Sequence, residues 1–268
     1  MNQLTFILLF LIPILLLTSC AGISVMEFQD AGTLGKGNSS LGFSGSTGIN
    51  TVELYKDSTR TLHHNGTMFI PIQITFQTGL RENIDLSASI WNTSLLSHFF
   101  RFGKNFDAFT DFGYTMNIKY RITQPESERH LAFGITLLGH TGRYDHDDGD
   151  WRSSTYGIVP EIIYSRHFQV EESLEPTDKK KSLSKILYSL YAGWKVYFLS
   201  ADLSYTFPNI VAETHIQQHP IIYDPFIGAS FGKERRYYFE IHGMFMKNAF
   251  SGDIDIMPYF GAGTKFYF

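Results

Sequence analysis

The stretch Ala108-Phe109-Thr110-Asp111-Phe112-Gly113-Tyr114-Thr115-Met116-Asn117-Ile118-Lys119-Tyr120-Arg121-Ile122 sets an apolar face against a polar one along most of its length. Phe112, Tyr114, Met116, Ile118, Tyr120 and Ile122 fall on one side, and Asp111, Gly113, Thr115, Asn117, Lys119 and Arg121 on the other. Successive side chains of a strand point to opposite faces, so this period of two predicts a strand with one oily and one hydrophilic side. At about 3.3 Å per residue the stretch would reach roughly 50 Å. Strands of soluble sheets run to only about 5 or 6 residues, whereas a tilted strand that crosses a bilayer needs about 9 to 11 and can project beyond it.

The same alternation, followed outward in both directions, predicts strands near 40–49, 68–79, 83–92, 108–122, 129–140, 154–168, 185–197, 220–231, 236–246 and 256–268. Connections alternate in length. Those at 50–67, 93–107, 141–153 and 198–219 are long, that at 247–255 is intermediate, and those at 80–82, 123–128 and 232–235 are short; 169–184 breaks the rule. Short turns at one end and long loops at the other are the layout of outer-membrane barrels, whose turns face the periplasm. An even count brings both chain ends to the turn side. Leu203, Tyr205 and Phe207 extend the alternation past residue 200, so a very long seventh strand or an extra pair stays open, and eight or twelve strands remain alternatives to ten. Pro160 lies inside a predicted strand, and a closed barrel has no free edge for a missing donor, so a bulge is expected there.

Composition fits a folded chain. Charged residues make up 18% and aromatics 16% of 268 residues, with 24 Phe and 15 Tyr, unlike the charge-rich, weakly hydrophobic composition of a disordered segment. Lys and Arg number 22 against 26 Asp and Glu, for a net charge of -4, which argues against a general nucleic-acid binder. A single Cys excludes a disulfide framework.

That Cys ends an unusual N-terminus. Residues 1–19 carry no charge, and Leu4 to Leu17 form an apolar run broken only by Thr5 and Pro13. As a helix the run covers only about 21 Å, short of the roughly 30 Å hydrocarbon core, so it is expected to be a signal peptide and not a span. Leu17-Thr18-Ser19-Cys20 resembles the lipobox of bacterial lipoproteins. The resemblance implies cleavage by the lipoprotein-processing machinery, acylation of Cys20 and a lipidated tether over 20–38.

The other end reads Phe260-Gly261-Ala262-Gly263-Thr264-Lys265-Phe266-Tyr267-Phe268, which resembles the terminal strand of outer-membrane barrels, with Phe268, Phe266 and Phe260 on one face. In that class the strand is the signal read by the barrel-assembly machinery. Aromatics near predicted strand ends, at Tyr237-Tyr238, Phe99-Phe100, Tyr223 and Tyr259, suit interfacial girdles.

The opposite faces are rich in Gly, Ser and Thr, with Asp111, Glu161 and Glu240 against Lys119, Arg121, Lys195 and Lys265, a nearly neutral set that can pair internally in a narrow barrel. Candidate chemistry is sparse. Thr141 to Trp151 holds Asp145, Asp147, Asp148 and Asp150, oxygen ligands a hard cation would accept, yet Gly149 is out of place for the helical calcium loop, and a solvated acidic loop is the expectation. His63-His64 carries no stronger signal, and His215 with His219 could share a face only on a helix. Glu240-Ile241-His242-Gly243-Met244 resembles the His-bearing strand of barrel lipid A deacylases, which place a Ser two residues after the His. Here Met244 stands there and Ser251 is remote, so the nucleophile that acyl transfer needs is missing.

The expectation is therefore an all-β, antiparallel up-and-down barrel: signal peptide 1–19, lipidated tether 20–38, barrel 39–268. It would reside in the bacterial outer membrane among its lipids, with no cofactor, no metal and no nucleic acid, and with a structural or surface-interaction role. A small-solute channel, a barrel lipid hydrolase and a soluble β-sandwich periplasmic lipoprotein are the competing readings.

Overall fold

A computed structural model describes residues 22–23, 26–47, 49–50, 71–92, 111–146, 149–171, 185–206, 213–232, 235–247 and 254–268. Ten antiparallel strands in these residues close on themselves. They are β1 (Ser39–Ser46), β2 (Ile72–Arg81), β3 (Ile84–Asn92), β4 (Asp111–Arg121), β5 (Arg129–His146), β6 (Gly149–Glu171), β7 (Lys185–Thr206), β8 in two pieces (Glu213–Gln218 and Ile221–Gly232), β9 (Arg235–Lys247) and β10 (Ile254–Tyr267). Each pairs with the next, and β10 returns to β1 with Gly261 opposite Ser46 and Tyr267 opposite Ser40. The two pieces of β8 lie along the same strand: Gln218 faces Ala201, Ile221 faces Phe198, and Pro220 accepts the Leu199 amide between them. Closure leaves no free edge, which is what a sheet in hydrocarbon requires.

Alternation determines which side chains face out. Along β4 and just past it, Phe112, Tyr114, Met116, Ile118, Tyr120 and Ile122 are exposed, whereas Thr115, Asn117, Lys119 and Arg121 are buried. The ten steps from Phe112 to Ile122 rise about 33 Å along the strand, or about 25 Å along the axis at the usual tilt, the height of the apolar band of outer-membrane barrels. The same band passes through Ile74, Ile90, Ile135, Ile162, Trp194, Ile227 and Ile241, each at least 38% exposed. At the turn end it finishes in aromatics and guanidinium groups: Phe231 lies 5.2 Å from Tyr237, and Arg235 covers the rings of Tyr237 and Phe266 at 5.0 Å each. Tyr237 and Tyr223 face out as girdle residues. Tyr238 and Tyr259 are buried in the lumen, because two consecutive residues of a strand cannot share a face.

The loop end is built differently from expectation. Much of 141–153 and 198–219 is strand: β5 continues to His146, β6 begins at Gly149, β7 runs to Thr206, and Glu213–Gln218 pairs with the last part of β7. The seventh strand is thus very long, and no extra barrel pair is needed. Polarity swaps along it. Tyr188, Leu190, Trp194 and Phe198 face out, but beyond Phe198 the outward position at 202 is an exposed Asp, while Leu199, Ala201 and Leu203 are buried inside. The neighbours agree, with Arg152 on β6 and His215 and Gln217 on β8 exposed above the level of Ile158, Phe198 and Ile221, which are paired across the three strands.

Pro160 makes no bulge. It sits opposite Ile135 in an unbroken β5–β6 ladder, and on the other side the pairing simply lapses between Ile158–Phe198 and Glu161–Lys195, with the same register before and after. Long neighbours on both sides hold the register, so the missing amide removes a local pairing without inserting a residue.

Candidate functional site in the barrel lumen

The lumen is not empty. The described part of the expected tether lies inside it, with Met26, Glu27, Phe28, Gln29, Asp30 and Ala31 all buried. This plug touches strands on several sides of the barrel. Gln29 donates to Ser87 Oγ on β3 at 3.0 Å, Thr136 Oγ1 on β5 donates to Glu27 at 2.8 Å, and Lys119 on β4 donates to the Asp30 and Gly32 carbonyls at 2.9 and 2.6 Å. Asp30 also pairs with Arg236 on β9 at 3.6 Å and with His167 on β6 at 3.5 Å. Below it the chain turns under the barrel, where the Leu34 amide donates to Asp85 and Gly37 to the Gly79 carbonyl.

Two glycines make room for the plug. A Cβ at Gly261 would collide with the Met26 sulfur and lie 2.9 Å from the Phe28 ring, and one at Gly79 would meet the backbone of Gly35. The wall around Gly261 is small throughout, with Ser40, Gly42, Ser44 and Ser46 on β1 and Gly263 on β10 at inward positions. Bulk missing from the wall is supplied by the plug, consistent with dense protein interiors.

Polar side chains fill the remainder in two layers. Near the turns, Asp85 takes an ion pair from Lys119 at 3.6 Å and a hydrogen bond from Gln77 at 2.8 Å; Lys265 donates to Gln77 Oε1 at 3.3 Å and lies over the Tyr238 ring, and Tyr238 is hydrogen-bonded to Tyr267. His130 and His167 stack edge to face, 4.5 Å apart.

Higher up, Lys195 pairs with Glu161 at 3.8 Å and lies over Phe226, and Asn117 bridges Glu161 and Thr136 at 2.9 and 2.7 Å. His242 is clamped in this upper layer. Its Nδ1 meets Asp224 at 2.8 Å, its Nε2 meets Glu240 at 3.2 Å, and its ring stacks on Phe226; Tyr191 donates to the other Glu240 oxygen at 2.9 Å. Charges buried in this way are tolerable because they are paired and hydrogen-bonded.

Of the charges predicted to face inward, Lys119, Arg121, Glu161, Lys195, Glu240 and Lys265 do so, each at most 5% exposed; the Asp111 side chain lies outside the described residues. His242 has both nitrogens engaged and Met244 buried beside it, so no free base faces a hydroxyl there. His215 is on a strand, not a helix, where a spacing of four keeps His219 on the same exposed face but about 13 Å along it, too far for the two imidazoles to share an ion. Asp145 faces Asp150 across a hairpin, and no group of three metal-ligating side chains forms among the described residues. Phe260, Phe266 and Phe268 are exposed on the outer face of the closing strand. Cys20, His63, His64, Phe99, Phe100, Asp147, Asp148 and Ser251 lie outside the described residues. The sequence reading missed Glu27, Asp30, Asp85, Asp224 and Arg236. The last three stand at inward strand positions, a legible signal, but the first two belong to a segment without a period.

No protein-family profile and no curated protein matches the chain. Solved structures do: the outer membrane protease OmpT from Escherichia coli, at 10% identity over 86% of this chain and 96% of that one with a TM-score of 0.30, and the outer membrane phospholipase A from Escherichia coli, at 11% identity over 85% and 92% with a TM-score of 0.27. A Vibrio cholerae outer membrane protein, also named OmpT, covers 86% of this chain and 98% of its own at 9% identity and a TM-score of 0.17. All three are outer membrane proteins; the closed barrel of this chain is seen in its own strand pairing.

Proposed function

We propose that the protein is a lipid-anchored outer-membrane barrel whose lumen is closed by its own N-terminal segment, and whose loop-side hairpins carry its interactions with other molecules. The plug is the observation that carries this reading. Six consecutive buried residues crossing a lumen already packed with paired side chains favour a sealed barrel over a small-solute channel. An outer apolar band of about 25 Å, bounded by aromatics, suits a bilayer and not a periplasmic sandwich.

A lipase-like role gains nothing from His242, whose ring is held between two carboxylates as a structural imidazole would be. The anchor is compatible with the plug. Gly22–Ile23 pair with Ile49–Asn50, which follow the loop-side end of β1, so the segment climbs from the turn side towards the loops. The described N-terminal end is thus on the loop side and not, as the even strand count implied, on the turn side, so an acylated Cys20 would belong to the outer leaflet.

Planar-bilayer recording tests the sealed lumen. The intact protein should show no steady conductance, and deletion of residues 26–32 should open discrete conducting levels. Stable pores in the intact protein would overturn the reading. For the anchor, labelled palmitate should be incorporated by the natural chain and not by Cys20→Ala.

A further inference from the structure

A cavity of about 230 Å³ lies at the turn-side mouth, between the lower end of the plug and the wall. Four basic side chains line it: Lys119, Arg121, Arg236 and Lys265. Two buried carboxylates oppose them, Asp30 beside Arg236 and Asp85 beside Lys119, so the layer holds two positive charges in excess. His130 and His167, on the same wall, can only add to that excess. Glu82 and Glu126, at the turns, are exposed to solvent and compensate weakly.

On the plug side of the cavity Gln29 Oε1 and Asp30 Oδ2 are buried acceptors without a hydrogen bond, and on the wall side the guanidinium groups are short of acceptors. Arg121 is 5% exposed and gives one guanidinium nitrogen to the Glu82 carbonyl at 2.9 Å, but its Nε is buried without an acceptor among the described residues, as is the Nε of Arg236. Buried donors without acceptors beside a cavity with surplus positive charge call for an anion.

We infer that this cavity binds a doubly charged tetrahedral oxyanion of the phosphate class, held by Arg121 and Arg236 with Lys265 behind it. A carboxylate would neutralise only one of the two surplus charges, whereas a dianion balances both. Guanidinium groups also offer paired donors that match tetrahedral oxyanions. The cavity faces the turn side, so the ligand would arrive from the periplasm, as free phosphate or as the exposed end of a phosphate monoester.

The test is calorimetric titration of the full processed protein in detergent, in chloride buffer of fixed ionic strength, with inorganic phosphate and separately with glycerol 3-phosphate. Saturable phosphate binding, weakened about tenfold or more in Arg121→Gln, is the expected result. Glycerol 3-phosphate binding as tightly as phosphate would identify a site open to monoesters; its exclusion would limit the site to the free anion. Absence of saturable binding by either, or equal binding by wild type and Arg121→Gln, overturns the inference. Should Arg121→Gln lose its heat-modifiable band, Lys265→Gln serves instead, alongside phosphorus-NMR broadening with the natural chain. Because the plug stays in place, these outcomes are independent of the conductance test.

Discussion

The barrel below the level of Phe198 and the hairpin wall above it use one strand geometry with opposite chemistry. Below, β7 turns Tyr188, Leu190 and Trp194 outward and Ser189 and Lys195 inward; above, it turns Asp202 outward and Leu203 inward. Side-chain direction never slips between the two regions, so the swap cannot come from register. It comes from the solvent. Hydrocarbon selects apolar residues on the outer face of the lower region, and water selects polar ones on the same face of the upper region. The level of Ile158, Phe198 and Ile221 then marks the outer edge of the hydrocarbon.

The largest effect should come from the paired charges inside the barrel, below the level of Phe198. Glu161→Ala removes the carboxylate that pairs with the buried ammonium of Lys195 at 3.8 Å and should cost about 3–5 kcal/mol, read from the urea midpoint of the heat-modifiable form. A smaller loss would mean that water reaches this layer. On the outer face, Ile135→Arg lies opposite Ile118 in mid-band and should cost about 2–4 kcal/mol in the same assay. A neutral result would remove hydrocarbon from that face. Asp30→Asn loosens the plug from Arg236 and His167 at about 1–3 kcal/mol, and should let a protease that enters from the turn side cut near residue 30. Smallest of all, Asp202→Ala should shift stability by no more than about 0.5 kcal/mol. If it matched Ile135→Arg, the edge drawn at Phe198 would be misplaced.

Much of this was legible in the chain because a strand's period of two survives any tertiary arrangement. Ile84 to Asn92 could be located to within one residue, and the strand expected over 108–122 ends one residue earlier, at Arg121, with its expected start outside the described residues. The hairpins at 141–153 and 198–219 were harder, since turn residues and an acidic cluster look like loop whether or not the flanking backbone is paired. The plug was hidden for a deeper reason. Met26 to Ala31 has no periodicity, and its burial depends on a wall of small residues at Gly42, Ser44, Ser46, Gly261 and Gly263, which are far away in sequence. Read together, those small inward positions on the two strands of the seam were a trace of it, a groove awaiting a filler. The paired lumen was half visible: inward parity identified Glu161, Lys195 and Glu240, but not that Asp30 would come from outside the barrel to join Arg236.

The seam also dictates a sequence of events. The plug leads directly into β1, and β1 meets β10 along only a short ladder that begins where Tyr267 reaches Ser40. Were the ring to zip first, a dozen residues would have to be threaded through a crowded bore. If the plug instead lies against β1 before the final strand arrives, closure wraps around it and nothing is threaded. Sealing would then be part of biogenesis itself, and no open intermediate need ever face the membrane.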